Sequence, residues 1–441
     1  MKGNAKCYDK VREYLETVPL VDCHDHTKTS GPKYNNPISV VVSGYFISDL
    51  QSASSDSDIA VIQDCNLSLE QRWAVLEKAW KRTCHTGYAQ VTKRLLKKFY
   101  NEDEVTLDSL KRIQNNLINL EDESIFDEIL GQANIAVRLE NVMYDKRYEP
   151  INNLLALGIK TVLDGSAKMS PRGRLVIPLP AFHCVLDYAS VQNISSTVGK
   201  KVTSLDEYLT VCREIFEGYK RFGAVAFKDQ SAYTRSLEYG NPARSEAEQV
   251  FNWFMSDPRR SVSYPEGVKD LDDYLFHEFM RMARDMDLPV QIHTGHMAGI
   301  RNDIVKTNAV GLRSVIELHP DVSFDIFHAN WPYSGELLFM AKNYPNVTID
   351  FCWANIIDPI YCQNMFKQAL SSVPHGKIHG YGSDFGGQAD RAWAHASIAR
   401  DNIAIALSDM VEMEYLSFDE AKQVGYDWLF GNANKFFRLN L

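Results

Sequence analysis

Five separated stretches of this chain end in side chains that bind metals or move protons. They are Val21-Asp22-Cys23-His24-Asp25-His26, Phe227-Lys228, Gln291-Ile292-His293, Phe327-His328 and Gly382-Ser383-Asp384. Imidazoles joined by a carboxylate form a donor set suited to a borderline divalent ion such as zinc. Side chains alternate faces along an extended segment, so Asp22, His24 and His26 project the same way. His293 closes an apolar run and is followed at once by Thr294-Gly295, and His328 closes another. One histidine at a strand end is ordinarily a satisfied core residue. Two at consecutive strand ends, downstream of a His-x-His pair, are less easily read that way. Asp384 follows small residues that let the backbone come close to a ligand. A carboxylate there can bind metal and also take a proton from water, the general-base role.

Lys228 allows three readings. Ala224 and Ala226 share its face and leave room beneath it. Carbamylated, it could bridge two metals; as an ammonium it could hold a substrate carboxylate. The plain alternative is a lysine reaching out to solvent. Asp384-Phe385-Gly386 spells a kinase-like triplet, but neither a glycine-rich phosphate loop nor a kinase catalytic segment accompanies it.

The elements that must position these groups are short apolar runs alternating with helical patterns. Strand-like runs occur at Asn134–Leu139, Ile159–Leu163, Leu175–Leu179, Ala224–Lys228, Pro289–His293, Val322–His328, Val347–Phe351 and Ile378–Ser383, after a first at Val18–His24. Helical stretches such as Leu205–Phe222, Leu271–Met286 and Ser334–Asn343 lie between them. Such alternation predicts parallel βαβ units. The fold expected is an α/β (β/α)8 TIM barrel, whose strand ends converge on one mouth. One strand is surplus, so either Asn134–Leu139 or Ile159–Leu163 stands outside the barrel. Residues 28–130 read as a helical insertion after the first strand, lid or interface, opening with Ser-rich stretches at 43–57. The whole of 1–441 is expected to be one barrel domain.

The 441 residues are 45% hydrophobic and 24% charged, the composition of a globular protein. With 47 Lys+Arg against 57 Asp+Glu the net charge is −10, which disfavours nucleic acid or an anionic membrane as partner. The eight cysteines form no CxxC pair and suggest reduced thiols. The polar N-terminus has no apolar leader core, so a cytoplasmic setting is expected. The partner expected is a small-molecule substrate, with the chain assembled as a homo-oligomer.

The order His-x-His, Lys, His, His, Asp resembles the amidohydrolase superfamily. His328-Ala-Asn-Trp-Pro-Tyr-Ser-Gly-Glu336, Tyr344-Pro-Asn-Val-Thr-Ile-Asp350 and Gly382-Ser383-Asp384 resemble its amidohydrolase 2 branch. Phe227-Lys228-Asp-Gln-Ser-Ala-Tyr-Thr-Arg235 and Ile292-His293-Thr-Gly295 are similar to the amidohydrolase domain sometimes fused to a glutamine synthetase, with some likeness to uronate isomerases. The resemblance implies metal ligation by His24, His26, His293 and Asp384, with His328 binding a second metal or orienting the water. Lys228 matches a lysine that bridges metals in part of the superfamily. It implies a divalent metal, zinc as one ion or two, and hydrolysis of a C–N, amide-type bond in a small carboxylate-bearing substrate. Substrate contacts are expected from the loops after the strands: Tyr233, Arg235, His296, Arg301, Trp331, Tyr333, Trp353, Gln388 and Arg391. Sugar-acid isomerisation and nonoxidative decarboxylation use the same constellation, and a non-enzymatic metal-binding scaffold is the remaining alternative.

Overall fold

The structure, a computed structural model, describes residues 5–26, 30–141, 159–167 and 169–441. Eight strands form one sheet in sequential order: β1 Leu20–Asp25, β2 Ile135–Glu140, β3 Gly173–Pro178, β4 Ala226–Asp229, β5 Val290–Ile292, β6 Phe324–Ile326, β7 Val347–Asp350 and β8 Ile378–His379. From β3 to β7 the pairing is parallel, with Lys228 opposite Gln291, Gln291 opposite Asp325, and Asp325 opposite Thr348. The ring closes where Cys23 N donates to the Tyr381 carbonyl (3.2 Å) and Asp384 N to the His24 carbonyl (2.9 Å). This is the (β/α)8 barrel that the alternating pattern predicts.

The surplus strand is resolved. Ile135–Glu140 is β2, and Ile159–Leu163 is a helix that buries Ile159 and Val162. An isolated five-residue apolar run has no period long enough to separate the two states. The strands are also shorter than their apolar runs, so His293, His328 and Asp384 lie just past the ends of β5, β6 and β8. Between β1 and β2 the described residues form seven helices from Pro37 to Gln132. The stretch 43–57, read as loose, is mostly helical, lying in Phe46–Ala53 and the start of Asp56–Gln63. Ser55 caps Asp58 N and so starts the helix Asp56–Gln63.

The chain divides into two compact units. One comprises Met1–Arg138, Met297–Asn302 and Phe351–Asn432, the other Leu139–His296, Asp303–Asp350 and Ala433–Leu441. In the first, Arg400 on the helix Ala389–Glu412 donates to the carbonyls of Leu15, Val18 and Ala133. That ties the segments on both sides of the insertion to one buried guanidinium. In the second, Ser204 and Glu207 form a capping box for the helix Leu205–Phe222, and Gly223 ends it at φ 115°. Its apolar face recurs every three to four residues, and Phe216 packs edge-on against Phe227 of β4, ring centroids 5.1 Å apart. The strand carrying Lys228 is thereby held from behind.

Candidate metal centre

In the first unit, β1 and the segment after β8 bring three donors together. The Oδ1 atom of Asp384 lies 3.1 Å from His26 Nε2 and 3.5 Å from His24 Nε2. The donor atoms of all three residues lie within 4.8 Å of one another, and His24 and Asp384 are buried. Donors about 2.1 Å from a tetrahedral ion stand about 3.4 Å apart, so the set fits a divalent metal.

Asp22 explains why the set is assembled. Its Oδ1 accepts from Ser383 N (2.7 Å) and more distantly from His24 N (3.3 Å), while Oδ2 accepts from the Ser383 hydroxyl (2.5 Å). One carboxylate therefore clasps the residue before Asp384 to the strand bearing both histidines. Burial, and next the neighbouring Asp25, push the Asp22 carboxyl well above the usual range. Asp25 in turn is bonded by Arg138 of β2 at 2.8 Å, with both side chains buried. Behind the turn, His395 Nδ1 donates to the Ser383 carbonyl at 3.1 Å, and burial lowers its pKa to about 4. The imidazole thus stays neutral. Asp384 itself sits at φ 56°. A left-handed aspartate is a strained placement of the kind that gathers at working sites.

The helical insertion reaches this turn. The Tyr45 hydroxyl donates to the Asp384 carbonyl at 2.5 Å, and its ring packs on Trp353 (4.2 Å) and Phe385 (5.3 Å). Sequence reading missed Tyr45, because nothing in the local pattern marks it.

The second unit carries the remaining strand-end groups. His293 Nε2 meets the His296 carbonyl at 2.9 Å, and its Nδ1 faces His328 Nε2 at 3.0 Å. Donation to a backbone carbonyl fixes the tautomer and leaves Nδ1 unprotonated, so that it accepts from His328 Nε2. Burial first, then the charges of His328 and Lys228, hold His293 well below the usual histidine range. The turn after β6 is left-handed at three consecutive residues, His328, Ala329 and Asn330 (φ 61°, 49° and 51°). Asn330 steadies it by accepting from Ala309 N (3.0 Å) and donating to the Tyr333 carbonyl (2.9 Å). Lys228 is buried, with Nζ 3.5 Å from the centroid of the Phe327 ring.

The residues expected to touch substrate fall into two groups. Tyr233 packs on His293 with centroids 4.6 Å apart, and His296 on Trp331 at 5.4 Å. Burial lowers the His296 pKa to about 4. Tyr333 and Gln388 are half-buried beside these turns in their respective units. Four others are placed differently. Arg235 is buried and committed to Asp272 and to Asp273 (2.5 Å), with its guanidinium over the Tyr239 ring. Arg391 is buried and donates to the Val40 carbonyl. Trp353 is 1% exposed. Arg301 is open to solvent, its nearest carboxylate being Asp56 at 4.0 Å.

Residues 259–439 match the amidohydrolase family. That match covers about two fifths of the chain and includes three of the strand-end motifs, those at His293, His328 and Asp384. Protein fluG of Emericella nidulans is 24% identical over 227 residues, 49% of this chain, and the match spans 26% of that longer relative. A Lactobacillus casei protein assigned as a metal-dependent hydrolase overlays with TM-score 0.68 at 16% identity, over 98% of both chains. Uronate isomerase of Thermotoga maritima overlays with TM-score 0.75 at 14% identity, over 98% of this chain and 97% of its own. At these identities the likeness speaks for the barrel. No helix among the described residues is long and apolar enough to cross a membrane.

Proposed function

We propose that this enzyme hydrolyses a C–N, amide-type bond in a small carboxylate-bearing substrate, using one divalent ion that the nitrogen and oxygen donors suit to zinc. The observation that carries the reading is a single carboxylate oxygen of Asp384 faced by both His24 and His26. These three hold the ion. The ion supplies Lewis acidity, which brings water within reach of a carboxylate base near neutral pH. Asp384 accepts the water's proton and returns it to the leaving nitrogen. His328 orients the attacking water and steadies the oxyanion.

Lys228 acts as an ammonium that holds the substrate's carboxylate. The negative face of an aromatic ring attracts a cation and repels a carbamate, and Lys228 Nζ sits over Phe327. Substrate contacts come from Tyr233, His296, Trp331 and Tyr333 in the second unit and from Gln388 and the exposed Arg301 in the first. Arg235, Arg391 and Trp353 hold the scaffold. The second reading is sugar-acid isomerisation, favoured by the overlay with a uronate isomerase along nearly the whole chain.

The test is elemental analysis of protein purified without chelators, for wild type and Lys228→Ala, followed by turnover of N-acyl amino acids and uronates. One ion in both proteins, with amine release, supports the hydrolase. Aldose–ketose interconversion without amine release replaces it with the isomerase. Two ions falling to one in the variant would make Lys228 a bridging ligand. Absence of metal would overturn the reading altogether.

A further inference from the structure

The insertion between β1 and β2 meets the turn that carries Asp384 at three points, all within the first unit. Gly31 lies so close that a Cβ there would overlap the Gly387 carbonyl oxygen. Gly44 sits at φ 66°, and a Cβ on it would stand 3.0 Å from Gln388 Oε1 and 3.1 Å from both Arg391 Cδ and Phe385 Cε1. The next residue, Tyr45, donates its hydroxyl to the Asp384 carbonyl. Its ring is packed in place. Besides Trp353 and Phe385 it meets Tyr88, from a later helix of the insertion, with centroids 5.7 Å apart. Tyr88 also stacks on Trp353 at 6.3 Å, and the Trp353 amide donates to the Gly382 carbonyl at 2.9 Å.

These contacts complete the control of one residue's backbone. Each residue has two soft dihedrals, which relate the peptide planes on either side of it. The plane before Asp384 is held by its N–H on the His24 carbonyl (2.9 Å), and the plane after it by the Tyr45 hydroxyl on its own carbonyl. With both planes held, Asp384 keeps its left-handed conformation and its side chain leaves the backbone toward His24 and His26. Glycine-dependent packing on the turn belongs to a fixed wall, not to a flap that opens at each turnover. We propose that the insertion is a rigid brace on Asp384, with Tyr45 as a positioning residue that acts through the Asp384 backbone. The proposal rests on the metal centre and on the proton-accepting role given to Asp384 above. The insertion is thereby part of the site rather than a lid over it.

Tyr45→Phe keeps the ring and removes only the hydroxyl. Losing an outer-shell partner typically costs roughly 10–100-fold in metal affinity or activity, and this variant should lose about tenfold in zinc affinity, read by competition against a chromophoric chelator. Its cobalt(II) form should show shifted visible ligand-field bands, because the carboxylate meets the ion at a changed angle. Thr92→Val removes a buried hydroxyl that donates to the Val41 carbonyl (3.3 Å) inside the insertion, so it should lower the urea midpoint and leave affinity and bands unchanged. In the zinc-loaded wild type without substrate, amides of the helix Phe46–Ala53, which follows Tyr45, should exchange slowly with deuterium. Exchange within seconds would make the insertion a lid and overturn the brace. Wild-type affinity and bands in Tyr45→Phe would overturn the positioning role and leave the metal centre standing, as would equal losses in Thr92→Val. Wild type that takes up no zinc would overturn the metal centre, and the role of Tyr45 with it.

Discussion

Replacing Asp22 tests whether the metal centre is assembled by the clasp between β1 and the turn after β8. In Asp22→Ala the buried Ser383 amide loses its 2.7 Å acceptor, and the Ser383 hydroxyl and His24 amide lose theirs. The hydroxyl can rotate and the His24 contact is long, so the main cost is one stranded buried N–H, about 1–3 kcal/mol. The same loss frees Asp384 relative to His24 and His26. Outer-shell partners are worth roughly 10–100-fold in metal affinity, about 1.4–2.7 kcal/mol. Asp22→Asn behaves differently. Its carbonyl oxygen still accepts from Ser383 N, and its amide can donate to a rotated Ser383 hydroxyl, so affinity should stay within a few-fold of wild type. Competition against a chromophoric chelator measures affinity, and urea melts of the apo proteins measure stability. Wild-type metal affinity in Asp22→Ala would refute the clasp. An equal loss in Asp22→Asn would show that charge, rather than hydrogen bonding, matters at this position.

His24→Ala and Asp384→Asn should each abolish turnover while melting as folded proteins, checked by kinetics beside circular dichroism; wild-type turnover in either would remove the mechanism. Lys228→Met should raise KM for carboxylate substrates at least tenfold with metal content unchanged, read from steady-state kinetics and elemental analysis. The His183 pair gives a pH dependence. Burial opposes its charge, but Asp272 and Asp229 prevail and raise its pKa to about 9. A raised pKa stabilises the fold fully below the unfolded value of about 6.5, and the gain is lost as pH rises through 9. A rise from about 6.5 to about 9 is worth on the order of 3 kcal/mol, so urea midpoints should fall between pH 6.5 and 9 in wild type and less so in His183→Gln.

What the sequence made legible is what depends on local pattern. The alternation of strands and helices predicts the barrel, and the side-chain period of two puts Asp22, His24 and His26 on one face. What it hid depends on partners far along the chain. Arg235 reads as a carboxylate binder after β4, yet Asp272 and Asp273, which take up its guanidinium, lie on a later helix. Arg391 and Trp353 follow strands, as substrate residues do, but they are buried where their elements pack against the insertion. Ile159–Leu163 is apolar enough for a strand and too short to reveal its helical period. The Asp22 face was visible and its grip on Ser383 was not, because no local signal connects residues so distant.

The seam where β1 meets β8 sets the order of assembly. His26 and Asp384 are separated by 384 − 26 = 358 positions, and the donor set exists only after the last strand has closed on the first. Contacts at such separation form late, because the loop entropy between them must be lost before they repay it. An ion held by His24, His26 and Asp384 would therefore not nucleate the barrel; it would bind once β1 and the turn after β8 have met, and act as a latch on that seam.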